Sequence, residues 1–280
     1  MTNPPYIPWL DLYRICGQGG GGTIWIAREQ SGSGMLRAVK IVPGGKSTGK
    51  IRQAIADYRQ NIPYHLSLID IFFAGDSGEK FYYVMELADN ASSVPGEYIP
   101  DTLALRMQKN RLPLAEILYL MQKITAGVAT LHSHGFAHRD LKPENILFIH
   151  GEPKIGDPDL LTELDHRDTT GTPEYLPDHP CPAEKQDLYA LGKLLYCMLT
   201  GESPDAFPVL PDDLQNNHAI FLNRIAMHSC NTAHPCCTIR KLQENLQYAA
   251  NRMTPEGNHH GTFLRCLARK IPVLRHLQRE

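Results

Sequence analysis

One octapeptide constrains this chain more than any other stretch. Residues 138–145 read HRDLKPEN, with Asp140 two residues before Lys142 and five before Asn145. A polar helix cap needs only one or two oxygen-bearing side chains, not this order of acid, base and amide. The segment is read as a loop that carries chemistry.

Around it the chain changes character. Up to about residue 88, short β-favouring runs (13–16, 23–28, 35–42, 66–74 and 80–87) are broken by glycine clusters. Residues 50–60 are polar with helical spacing. Residues 89–100, DNASSVPGEYIP, form a Pro/Gly/Ser-rich connection. Beyond it, Leu114, Ile117, Leu118, Met121, Ile124, Val128 and Leu131 form an apolar stripe of helical period, a buried core helix over 114–134. Residues 185–199 form a second apolar helix. A sheet-rich first third and a helical remainder predict an α+β fold of two lobes, with a cleft near residue 88.

With 280 residues, there is enough chain for two lobes sharing a cleft. A formal net charge of -2 gives no global field for nucleic acid. Seven irregularly spaced cysteines argue for reduced thiols and a cytoplasmic setting rather than a disulfide framework. The start, MTNPPYIPWLDLYR, lacks a basic stretch followed by an apolar one, so no secretory signal is expected there. No run reaches the ~18 apolar residues of a membrane span. His228, Cys230, His234, Cys236 and Cys237 cluster, but their spacing fits no common zinc finger, and an ordinary loop is expected. Cys16 is expected to be a small buried residue. In residues 261–280, Phe263, Leu264, Leu267, Ile271, Val273, Leu274 and Leu277 alternate with Arg265, Arg269, Lys270, Arg275 and Arg279, with Pro272 as a kink. This tail docks on the preceding domain or binds a membrane surface or partner.

Further motifs flank the octapeptide. Gly17, Gly19 and Gly22 fit G-x-G-x-x-G, followed by Ile24, with Gly20 and Gly21 making the loop tip small and mobile. Lys40 lies in RAVKIV, residues 37–42, where alternation puts Val39 and Ile41 on one strand face and Ala38, Lys40 and Val42 on the other. Residues 81–88 read FYYVMELA, 154–159 read KIGDPD and 171–175 read GTPEY.

Over roughly residues 10–250 these motifs resemble the eukaryotic-like, bacterial-type Ser/Thr protein kinase family. The resemblance implies a two-lobed fold. Residues 10–88 would form an antiparallel β-sheet lobe with one helix, residues 89–250 a mainly α-helical lobe, and residues 251–280 the basic tail. It implies an ATP-dependent enzyme that transfers the γ-phosphate of Mg-ATP to Ser/Thr hydroxyls of proteins, with autophosphorylation. Asp140 would orient the hydroxyl, Lys142 would sit near the transferring phosphate, and Thr172 would bridge the two. Lys40 would contact the α/β-phosphates. Gly17, Gly19 and Gly22 would cradle phosphates, Ile24 and Ala38 would line the adenine pocket behind the gatekeeper Met85, and the Glu86 carbonyl and Ala88 N–H would bind the base. Asn145 and Asp157 would hold Mg²⁺, and Asp187 would anchor the loop backbone. Arg139 would grip a phosphorylated loop, with Thr162, Thr169 and Thr170 as candidate phosphosites.

Four places depart from the family pattern. The helical partner of Lys40 is expected as glutamate, but Gln53 stands there and Asp57 is one turn on, so either would hold Lys40. Pro158 and Asp159 replace phenylalanine and glycine, which would hinder a flip of this segment, and aspartate tolerates positive φ less well than glycine. Pro177-Asp178-His179 replaces A-P-E, and its arginine partner falls near Pro235, with Arg240 within reach. Gln53, Pro158, Asp159 and His179 motivate the alternative of a pseudokinase, a nucleotide-binding scaffold with little phosphotransfer.

Overall fold

The computed structural model of the chain describes residues 5–253, apart from residues 20, 31, 33, 235 and 236. The basic amphipathic tail pattern and Cys236 lie outside the described residues.

The first third folds as an antiparallel sheet. β1 (Leu10–Gly19), β2 (Gly22–Glu29), β3 (Leu36–Val42), β4 (Ile71–Ser77) and β5 (Lys80–Met85) take the order β1-β2-β3-β5-β4. Period-two alternation sorts the faces of β3. Val39 and Ile41 pack with Ile7, Leu10, Ala27, Tyr82 and Val84. Ala38 and Val42 join Tyr83 and Met85 in the main core, and Lys40 shares that inner face. The β1–β2 turn requires Gly22, whose φ is +136° and where a Cβ would lie 2.2 Å from the Ile41 carbonyl oxygen.

Between β3 and β4, α1 (Thr48–Asn61) turns Ile51, Ala54, Ile55 and Tyr58 into the core at helical spacing. The strand expected over 66–74 splits. Its first part leaves the sheet to meet the helical lobe: Ile69 N–H donates to the Ile155 carbonyl at 3.0 Å, and Ile155 N–H donates to Ser67 at 2.8 Å. An apolar run reads the same whichever strand it pairs with, so only the tertiary partner decided this.

The remainder holds α2 (Leu103–Lys109), α3 (Leu114–Ser133), α4 (Ala183–Thr200), α5 (Asn217–Ser229) and α6 (Ile239–Met253). Two short ribbons interrupt it, β6 (Phe136–Ala137) with β9 (Thr162–Glu163), and β7 (Ile146–Ile149) with β8 (Glu152–Ile155). Among the described residues α3 is the helix long and apolar enough to cross a membrane. Here it is a core element, with Ile117, Leu120, Met121, Ile124, Val128 and Leu131 all buried. One hydrophobic cluster runs from α1 through α3 and α4 to Leu242, Leu246 and Ala249 of α6, so both lobes share a core.

The α4–α5 contact is tight at Gly192. A Cβ there would lie 2.6 Å from Cys230 Sγ and 2.7 Å from the Ala226 carbonyl oxygen. Alanine gains roughly 1 kcal/mol of helix propensity over glycine, but overpacking costs about 1–3 kcal/mol. Because one obstacle is backbone, the clash wins. Gly192→Ala is expected to lower stability by up to ~2 kcal/mol, read as a lower urea midpoint; a raised midpoint would show that α5 retreats without cost.

Candidate active site

The octapeptide spans the link from β6 to β7, and a buried acid holds it. Asp187 of α4, fully inaccessible to solvent, accepts from His138 N–H at 2.9 Å and Arg139 N–H at 2.7 Å. His132 Nε2 lies 2.9 Å from the same carboxylate. These bonds sustain the left-handed backbone at Arg139, φ +70°.

Four side chains converge beyond that turn. Thr172 Oγ1 donates to Asp140 Oδ1 at 2.6 Å, and Lys142 Nζ donates to Thr172 Oγ1 at 2.7 Å while lying 2.9 Å from Asp140 Oδ2. Asn145 Nδ2 donates to Asp140 Oδ2 at 2.8 Å and to its carbonyl at 2.7 Å. Burial pushes the Asp140 carboxyl up, but the hydrogen bonds from Thr172 and Lys142 and the lysine charge outweigh it and hold the group below its ordinary value. An ionised carboxylate beside a cleft can orient a hydroxyl and take its proton.

Lys40 is almost fully buried and sits between two acids. Its Nζ lies 2.5 Å from Asp157 Oδ1 and 2.7 Å from Asp159 Oδ2. Burial disfavours the ammonium, and the charges of Asp157 and then Asp159 more than offset it, so its pKa is raised. Neither expected helical partner reaches it: Gln53 Nε2 donates to Asp57 Oδ1 at 3.0 Å on the exposed side of α1. The expected positive-φ cost at Asp159 is also absent. Asp159 lies in a single 3₁₀ turn over Pro158–Leu160, and the left-handed residue is Asp157, with φ 56° and ψ 63°. Tyr83 Oη donates to Asp159 Oδ1 at 2.8 Å. Burial, then the charge of Asp157, pushes the Asp159 carboxyl up to about 6.

A cavity of about 590 Å³ collects Gly19, Gly22, Ile24, Lys40, Asp140, Lys142, Asn145, Asp157 and Thr172. Its size is that of a small-molecule site. Gly17, Ala38, Glu86 and Ala88 lie outside its lining. Gly17 pairs across the ribbon with Ile24, and Ala38 pairs with Met85, which leads into Glu86. The Glu86 carboxylate accepts from Lys154 Nζ at 2.8 Å and from Asp70 N–H at 2.8 Å, which fixes the interlobe strap through its side chain. The donor set suits a hard cation. Asp157 offers a carboxylate, and Asn145, whose amide nitrogen is engaged by Asp140, offers its carbonyl oxygen. Both line the same cavity, and oxygen ligands of this kind fit Mg²⁺.

The loop after Leu160 is tied to Arg139. Arg139 Nη2 pairs with Asp168 and donates to the Thr170 carbonyl at 3.2 Å. Gln186 Nε2 donates to the Asp168 carbonyl at 2.7 Å. Thr162 is in β9, whereas Thr169 and Thr170 are exposed. At the A-P-E position His179 Nε2 lies 2.9 Å from Thr232 Oγ1 at the surface, and Arg240 pairs instead with Glu244 on its own helix at 3.2 Å. The His/Cys cluster holds no metal-like group among the described residues. Cys230 and Cys237 turn their thiols to the carbonyls of Tyr189 and Ser229. Cys16, expected to be buried, is only half-buried, and that burial still pushes its thiol up to about 11.

A family model described as "Protein kinase domain" matches residues 10–248. The chain belongs to the protein kinase family. This kinase domain is 30% identical over 231 residues to the Serine/threonine-protein kinase pkn2 of Myxococcus xanthus, covering 74% of this chain and 26% of that protein. It is 30% identical over 212 residues to the Serine/threonine-protein kinase PLK4 of Aedes aegypti, covering 69% and 26%. It is 26% identical over 229 residues to the Serine/threonine-protein kinase PknD of Chlamydia trachomatis, covering 68% and 24%. The kinase domain thus spans about a quarter of the length of these relatives. Their names lend the scaffold alternative no support.

Sequence reasoning missed Tyr83, Asp159 and Asp168 as site residues. Tyr83 stands directly across from Lys40 in the β3–β5 register, so cross-strand pairing was the signal for it. Asp159 and Asp168 carry no such local signal, because folding alone brings them to their partners.

Proposed function

We propose that this domain is an ATP- and Mg²⁺-dependent Ser/Thr protein kinase that phosphorylates protein hydroxyls, its own included. The observation that carries this reading is the Asp140–Thr172–Lys142 cluster facing the cavity that also holds Lys40, Asn145 and Asp157. Asp140 orients the acceptor hydroxyl and takes its proton as that oxygen bonds to the γ-phosphorus. The bond to the β–γ bridging oxygen breaks, and ADP leaves. Lys142 offsets charge on the transferring group, and Lys40 steadies the α/β-phosphates. Backbone amides of the Gly17–Gly19–Gly22 turn face the phosphates. Ile24 and Ala38 flank the adenine, whose edge meets the Glu86 carbonyl and the Ala88 N–H. Asn145 and Asp157 would hold Mg²⁺, which when bound neutralises phosphate charge.

The test is transfer from labelled ATP with Mg²⁺ to a generic Ser/Thr acceptor and to the protein itself, on wild type beside Asp140→Asn, with sites mapped. Label present in wild type and lost in the variant supports the reading; no label in either overturns it.

The loop makes a separate prediction. Arg139, the group that would grip a phosphorylated threonine, already has the Asp168 carboxylate. Thr169→Ala combined with Thr170→Ala is therefore expected to keep activity within about 3-fold of wild type, less than the ~1 kcal/mol of one ordinary hydrogen bond. Asp168→Ala is expected to lower it about tenfold, the equivalent of one charge-assisted bond. Initial rates on a fixed acceptor decide, and the reverse ranking would show that phosphorylation orders the loop.

A further inference from the structure

We propose that Asp159 is the positioning residue for Lys40, supplying from the metal-binding segment the carboxylate that α1 lacks. The inference rests on the kinase reading above and deepens it.

Three contacts define this arrangement. Asp159 Oδ2 is 2.7 Å from Lys40 Nζ. The other oxygen accepts from the Tyr83 hydroxyl at 2.8 Å, and Tyr83 is fully buried, so the carboxylate is held from behind. Tyr83 is the cross-strand partner of Lys40, so β3 and β5 fix the two ends of the Lys40–Asp159–Tyr83 chain in one register. Such supporting partners keep a functional side chain in a single geometry.

The glycine-rich turn is shaped to this pair. A Cβ on Gly21 would lie 2.9 Å from Asp159 Oδ2 and 3.1 Å from Lys40 Nζ. The turn therefore closes over the ion pair, and the small residue read in the sequence as a source of mobility is needed here for close approach.

Charge balance explains why a second acid is required. Lys40 also touches Asp157, the carboxylate placed to hold a divalent cation. With Asp157 as sole partner, lysine and cation would compete for one group. Asp159 leaves Lys40 paired and aimed at the phosphates when Asp157 turns to the cation. Gln53 and Asp57, engaged with each other on α1, take no part.

The experiment is a double-mutant cycle of Asp159→Asn and Tyr83→Phe on the whole chain, with three readouts: labelled phosphate transfer, the Kd of ATP in EDTA, and the urea midpoint. Asp159→Asn is expected to lower kcat/KM ~10–100-fold, as loss of an outer partner does, and to weaken metal-free ATP binding. Tyr83→Phe should lower both less, with little further loss in the double variant, because contacting residues on one path are not additive. Asp159→Asn within twofold of wild type in both transfer and ATP binding overturns the proposal, as do additive losses or an activity loss matched by a lost urea transition. Absent transfer in wild type with metal-free ATP binding still weakened by Asp159→Asn would remove the kinase reading and leave the Lys40 assignment standing.

Discussion

Asp140→Asn is expected to cut phosphate transfer by about 10²–10⁴-fold while sparing nucleotide binding. Asparagine keeps the shape and one acceptor oxygen, so Thr172 can still donate, but it cannot take a proton. Lys40 and Asp157 do not touch residue 140, and Asn145 loses its bond to the side-chain oxygen but keeps the one to the residue-140 carbonyl, so ATP affinity should stay within about twofold, below the ~1 kcal/mol of an ordinary hydrogen bond. The same carboxyl makes a pH prediction. Its pKa is depressed by Thr172 and Lys142 against the opposing effect of burial, so it stays ionised at and above the ordinary aspartate value of about 3.9. The stability it contributes is present above that unfolded value and is lost as pH falls through the lower folded one. A profile of kcat/KM should therefore show no acid limb from Asp140 above about pH 5. Equal turnover by wild type and Asp140→Asn would refute the assignment. An acid limb near pH 6, displaced by this substitution, would refute the electrostatics.

Much of this site was legible because its parts are local in sequence or carried by strand periodicity. Asp140, Lys142 and Asn145 lie within one turn-forming stretch, and Thr172 meets them where the GTPEY segment reaches the same cleft. Alternation put Lys40 on one face of β3 with Ala38 and Val42, and the fold makes that the face turned to the main core. The illegible part is the set of long-range polar partners. Nothing near Lys40 in sequence announces an acid 119 positions later, and the resemblance to the kinase family points to the helix after β3 as the source of its partner. The physical reason lies in the backbone: the left-handed Asp157 and the 3₁₀ turn starting at Pro158 swing Asp159 inward. The same holds for Asp168 on Arg139. The A-P-E region shows a third case, where an exposed His179–Thr232 contact stands at the position of the family's ion pair. Losing both charges avoids the roughly 3–5 kcal/mol that stranding one of them would cost.

Asp187→Ala is expected to be the most damaging single change to the fold around the site. The acid is wholly buried, and two backbone N–H groups and one imidazole converge on it. Removing it leaves two buried donors without a partner, each worth ~1–3 kcal/mol. It also frees the left-handed turn at Arg139, a conformation that costs on the order of 1–3 kcal/mol when unsupported. A loss of about 3–5 kcal/mol follows, a large share of a marginal total. The Asp187→Asn variant should recover little, because its amide N–H₂ must face one of the two backbone donors that the carboxylate accepts. Urea unfolding measures the stability loss, and hydrogen exchange at His138 and Arg139 locates it. A stability loss below ~1 kcal/mol with unchanged exchange would mean that the turn holds itself. Loss of transfer with full stability would instead move Asp187 from support into the chemistry. The turn sets where Asp140 points, so the first result predicts that transfer falls with the fold in Asp187→Ala, whereas Asp140→Asn loses transfer from an intact one.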